Sequence, residues 1–204
     1  MVRRKPKYLS YKYKLEKFMK KILVLIALFI SVNTYSQVFD GVPVSGDLAT
    51  AIAKFKAKGY TLKKYIDNGA IVNGKVGLRN VEVFIMITPK SKKIYKFAIY
   101  FEERATWYSL KEDYDKYYTI FKEKYGEPDS EFSFFSNPYE DGDGYEMTAV
   151  RLEKATFASY WLKRSNTTIA VSISKWRQVE VVYENDTNMA IKQSELSKME
   201  NNSF

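Results

Sequence analysis

Histidine and cysteine, the side chains most used for nucleophilic and acid–base catalysis, are both absent from this 204-residue chain. A Ser-His-Asp triad and a cysteine nucleophile are therefore impossible, and zinc lacks its usual ligands. No glycine-rich phosphate loop or dinucleotide fingerprint is present. What remains for an enzyme is a carboxylate pair, a Ser-Lys pair or a tyrosine. Glu102 and Glu103 close a predicted strand, and neighbours on a strand point to opposite faces. A glycosidase pair needs two acids facing each other at ~5–10 Å, so solvated surface is the better reading. Ser172 and Lys175 have the Ser-x-x-Lys spacing. Its catalytic form needs a helical turn, whereas a predicted strand end puts an offset of three on opposite faces.

Two further groups could bind rather than catalyse. Glu140, Asp141, Asp143 and Glu146 are interleaved with Gly142 and Gly144. Calcium takes about six to eight oxygen ligands, and this loop could supply several. The spacing is not that of an EF-hand, and Asp and Gly are ordinary turn residues, so a solvated connection is the stronger reading. Calcium is the one cofactor the sequence suggests. Aromatic residues form the second group. Most must fill the core, because strands favour Tyr and Phe. Trp107, Phe134, Phe135 and Trp176 fall in predicted links, which makes them the candidate contact surface for a glycan or a protein.

These residues must be held by elements whose pattern is legible. Leu48, Ala51, Ile52 and Phe55 make one stripe of a helix over Asp47–Lys58. Ser45 is placed to cap it, Gly59 to stop it and Tyr60 to pack back. A second helix carries Leu110, Tyr114, Tyr117, Tyr118, Phe121 and Tyr125 on a wide apolar face. Ser109 and Glu112 have capping-box spacing, and Gly126 and Pro128 end the helix. Alternation over 81–87 and 95–101, around Thr88-Pro89-Lys90-Ser91-Lys92, predicts a hairpin. Shorter strands are predicted at 61–66, 71–78, 147–153, 157–163, 168–174 and 179–184. The expected fold is α+β: an antiparallel sheet with two helices on one face, in the order helix, strands, helix, strands. The similar helix ends at 55–59 and 121–126 hint at a tandem repeat.

Met19–Ser36 reads as a cleavable signal peptide. Lys20 and Lys21 precede the nine-residue apolar run Ile22–Ile30, and Thr34 and Ser36 favour cleavage before Gln37. The run is short of the ~20 residues that span a bilayer. Translation is expected to start at Met19, with a long basic n-region as the alternative. Residues 1–36 carry nine of the 33 basic residues and one of the 24 acidic ones, so the remaining 168 residues hold about +1 of the total +9. The electrostatic case for nucleic acid disappears with them. Expected organisation is therefore a presequence over 1–36, one domain over 37–184 with halves 45–104 and 107–184, and a polar tail over 185–204 that is a frayed helix or disordered. A chain without cysteine uses neither disulfides nor a lipoprotein anchor.

The run Phe39-Asp40-Gly41-Val42-Pro43-Val44-Ser45-Gly46, followed by a helix ending Lys54-Phe55-Lys56-Ala57-Lys58-Gly59-Tyr60, resembles a set of small exported Bacteroidetes proteins of unknown function. They open with Phe-x-Gly-Ile-Pro and a Lys-rich helix ending in Lys-Gly-aromatic; Val42 stands where that pattern has isoleucine. The resemblance covers about 22 residues and implies location and fold, with no catalytic residues to carry over. The order of elements is also similar to β-lactamase-inhibitor-like tandem repeats, a likeness of fold alone. The expectation is a soluble periplasmic or secreted binding module without enzymatic activity, its partner a protein or glycan of the cell envelope. The alternative is a carboxylate-dependent hydrolase or glycan-processing accessory.

Overall fold

The structure, a computed structural model, describes residues 37–201. The expected signal peptide and the expected start site lie outside those residues.

The chain enters through a miniature hairpin. β1 (Val38–Phe39) and β2 (Val42–Pro43) pair across Asp40-Gly41. Both turn residues have positive φ, 47° and 75°, the backbone that a two-residue primed turn demands. The motif Phe39–Gly46 is thus a structural plug. Val42 and Val44 are buried, and the Phe39 ring lies 6.2 Å from Phe55 and 6.0 Å from Tyr183.

Helix α1 (Leu48–Ala57) follows. Its cap is Asp47, whose carboxylate accepts from the Thr50 N–H at 2.9 Å. Ser45 was the expected cap. Asp47 is the residue in extended conformation immediately before the first helical turn, where a side-chain oxygen meets the free amides. The other end is as anticipated. Gly59 takes φ 88°, Tyr60 N–H reaches Phe55 O and Gly59 N–H reaches Lys56 O, both at 3.0 Å, and the Phe55 and Tyr60 rings meet at 5.1 Å.

A meander comes next: β3 (Thr61–Ile66), β4 (Gly69–Val76), β5 (Arg79–Ile87) and β6 (Ile94–Phe101). Helix α2 (Trp107–Tyr125) opens the second half. It starts two residues ahead of the expected capping box, because Thr106 is extended and its hydroxyl accepts from the Ser109 N–H at 3.2 Å. β7 (Ser130–Phe135), short helix α3 (Glu146–Arg151), β8 (Ala155–Trp161), β9 (Thr167–Ile173) and β10 (Val179–Asn185) complete it. Two expectations fall here. Residues 147–153 are a helix and turn, not a strand, and Phe134 and Phe135 lie on a strand, not in a link. A stretch of six residues is too short to separate the two periodicities. Ala149 and Val150, both buried, lie within this helix.

All eight long strands form one antiparallel sheet in the order β3-β4-β5-β6-β10-β9-β8-β7. The two meanders join through their last strands, with Tyr100 opposite Glu180 and Ala98 opposite Val182. Each half therefore begins with one long helix and supplies four strands, the second half adding short α3, and α1 and α2 cover the same face. Phe55 meets Phe97 at 5.4 Å, Tyr117 stacks on Phe101 at 4.1 Å, and Phe121 meets Trp161 and Tyr183 at 5.8 and 6.1 Å. Phe55, Phe97 and Trp161 are fully enclosed, and burial of each such side chain stabilises by roughly 1.5–3 kcal/mol.

The tail forms helix α4 (Asp186–Asn201), which buries no residue of its own and packs against β6 and β10. Polar contacts hold it. Asn188 donates to Ile94 O at 2.7 Å, and Glu195 accepts from the Lys90 and Ser91 amides at 2.7 and 2.9 Å. The Lys192 ammonium lies 4.8 Å from the Tyr95 ring. Among the described residues no helix is long and apolar enough to cross a membrane.

Candidate functional site

The helices leave one face of the sheet open, and the register fixes what stands there. One row across the strands reads Asn73, Glu82, Tyr100, Glu180, Ser172, Ala158, Phe132. The next reads Ile71, Phe84, Ala98, Val182, Ala170, Tyr160, Ser130. A sheet with one solvated face should carry polar residues in these slots. Here polar residues share them with aromatic rings at either side, Phe84 and Tyr100 against Phe132 and Tyr160, and with the alanines Ala98, Ala170 and Ala158 between.

Phe84 and Tyr100 pack edge to face at 5.3 Å on β5 and β6, and Phe132 and Tyr160 do the same at 6.2 Å on β7 and β8. Three strand spacings, ~14 Å, separate β6 from β8. Ala98, Ala170 and Ala158 floor the trough between these walls, each at least nine-tenths buried. A hollow of about 400 Å³ occupies its β8–β10 side, lined by Tyr100, Tyr160, Ser172, Ser174, Trp176 and Glu180 among others. A second, of about 370 Å³, lies between Asn73, Asn80, Glu82, Tyr100 and Glu102. Two buried side-chain atoms lack a hydrogen-bond partner among the described residues, Asn73 Oδ1 and Ser174 Oγ, and one belongs to each hollow.

The acids of the trough differ in their commitments. Glu82 pairs with Lys63. Glu102 accepts from Asn80 at 2.5 Å and from Arg79 at 3.4 Å, and these hold its carboxyl below the usual range, with the Asn80 bond the main cause. No ion pair holds Glu180 among the described residues. Burial first, then a hydrogen bond to Glu180, push the Tyr100 phenol well above its ordinary value.

The candidates from the sequence scatter. Glu103 pairs with Arg177, away from Glu102. Ser172 and Lys175 line the same hollow, against expectation, because Lys175 lies in the β9–β10 turn rather than on the strand. Lys175 is engaged with Glu153 at 3.4 Å and lies over the Trp176 ring at 5.6 Å. In the acidic loop, Asp143 accepts from the Glu140 and Tyr145 amides at 2.9 and 2.6 Å, and Glu146 accepts from Gly142 at 3.0 Å. These oxygens fasten the loop's own backbone. Asp141 and Glu140 border a separate hollow beside Trp107. Among the described residues no three acids converge as a metal site. Trp107 and Phe135 turn inward against each other and Phe157, at 5.3 and 5.4 Å. Phe134 and Trp176 are exposed, 47% and 63%.

Sequence reasoning missed Phe84, Tyr100, Phe132, Tyr160 and Glu180. For Phe84, Tyr100 and Tyr160 a signal was present: apolar residues in the alternate slots of strands whose other slots were already largely apolar. No family model, curated protein or solved structure matches this chain.

Proposed function

We propose that this protein is an exported, soluble, non-enzymatic binding module of the cell envelope, and that the open sheet face is its binding surface. The observation that carries this reading is the aromatic-walled, alanine-floored trough in slots that a solvated sheet gives to polar side chains. The Met19–Ser36 segment and the resemblance of residues 39–60 to exported Bacteroidetes proteins favour the envelope. The absence of histidine and cysteine favours binding over catalysis. A carboxylate hydrolase needs one acid kept protonated opposite a second carboxylate. Glu82 and Glu102 are instead tied to a cation and to hydrogen-bond donors, which disfavours that alternative.

The test is retention of envelope material by the chain from Gln37 onward, compared with a Tyr100→Ala/Tyr160→Ala variant of matched circular dichroism. The wild type should retain material that the variant loses. Equal retention by both proteins removes the open face as the binding surface. Mass spectrometry of the protein from its own cells should give Gln37 as the first residue; an intact Met19 counts against export by cleavage.

A further inference from the structure

We infer that the ligand of this face is a saccharide, seated in the hollow between Tyr100 and Tyr160 beneath Trp176; this rests on the proposed binding role of the open face. The chemistry of the lining selects the class. Tyr160 and Trp176 offer ring faces, and Trp176 stands 63% exposed in the β9–β10 turn. A pyranose has an apolar C–H face that packs on such rings. Around them Ser172, Ser174 and Thr156 contribute hydroxyls and Glu180 a carboxylate. Sugar hydroxyls donate to the carboxylate and exchange hydrogen bonds with the hydroxyls in both directions. Ser174 Oγ, buried and without a partner, is a group that such a ligand, directly or through a water, would satisfy.

Other ligands fit less well. An extended peptide finds no free backbone here, since β8, β9, β10 and β6 are central strands hydrogen-bonded on both sides. An anion meets Glu180 and Glu153. A cation would find Glu180, but Lys175, paired with Glu153 at 3.4 Å, already brings a positive charge into the lining. A purely apolar ligand would desolvate the carboxylate and hydroxyls without pairing them. The hollow, about 400 Å³, lies at the small end of the range for ligand pockets and suits one or two sugar rings.

The experiment titrates the chain from Gln37 onward with chitotriose, maltotriose and cellotriose, followed by tryptophan fluorescence and by NMR. At least one trisaccharide should bind and perturb Trp176. Trp176→Ala and Tyr160→Ala should each weaken it by about tenfold or more at unchanged melting temperature. Tyr108→Ala, at an exposed aromatic on α2, is the control and should leave affinity unchanged. Binding of tetramethylammonium but of no trisaccharide overturns the inference. So does retention of an envelope protein fraction, lost in Tyr160→Ala, without any saccharide binding; the binding role of the face then stands and the ligand class is wrong. If neither saccharide nor envelope fraction binds, both fall.

Discussion

Asp113 is the residue on which the two halves' polar chemistry converges. It is 7% exposed, and its carboxylate accepts two bonds from Arg79 at 3.0 and 2.9 Å and two from Arg104 at 2.6 and 3.3 Å. The triad ties the start of β5 and the segment after β6 to α2. Breaking a buried pair by removing one partner costs about 3–5 kcal/mol, because the other charge is left uncompensated. Asp113→Ala should lose that much in urea unfolding. Burial raises the Asp113 carboxyl, but the two guanidiniums lower it more, so the net shift is downward. Its contribution is complete above the unfolded value of 3.8 and vanishes as pH falls through the depressed native one. The wild type should therefore destabilise through that window more steeply than Asp113→Asn. Gly74 is a second sensitive point. A Cβ there would stand 2.1 Å from the Tyr60 ring, which closes the end of α1. Gly74→Ala should cost about 1–3 kcal/mol by displacing that ring, seen as a fall in the urea midpoint.

At the scale of elements, α4 is held by acceptors and donors instead of an apolar face. Desolvation raises the Glu195 carboxyl, but hydrogen bonds from Ser91 and Lys90 outweigh it and hold it below its ordinary 4.5. The contact is thus present above that value and fails as pH falls through the lowered one. Glu195→Gln, or acidification of the wild type, should speed hydrogen exchange at the Lys90 and Ser91 amides. The same helix marks what the sequence could and could not disclose. Long elements with sustained periodicity, α1, α2 and the β5–β6 hairpin, were legible because many side chains repeat one signal. The tail offered four sparse apolar points, and its order comes from side-chain contacts to residues 90–94 that no local pattern encodes. Residues 130–135 hid for the opposite reason. Phe132 and Phe134 alternate, but they alternate outward, and their meaning depends on Tyr160 across the sheet. The candidate site was illegible on the same ground, since its seven strands contribute one or two residues each and only the register assembles them.

The described residues form a one-sided sandwich whose core is rich in tyrosine. Burial drives Tyr114 and Tyr117 up to about 12. A phenol raised in the native state stabilises fully below its unfolded value of 10.0, and that stability is lost as pH rises through the native one. Unfolding should therefore set in between pH 10 and about 12, seen as loss of near-ultraviolet dichroism; dichroism that persists unchanged through that window would contradict this. The seam between β6 and β10 has a consequence in time. Within each half, successive strands are joined by short turns, except for the 136–154 link between β7 and β8, so most of their pairing closes small loops. The seam brings residue 100 against residue 180 and closes only when both meanders exist. Late, long-range closure is what slows β topologies. The two halves should thus form as local hairpins first, and the joining of their last strands should set the folding rate, so that the trough floored by Ala98 and Ala170 comes into being only at the final step.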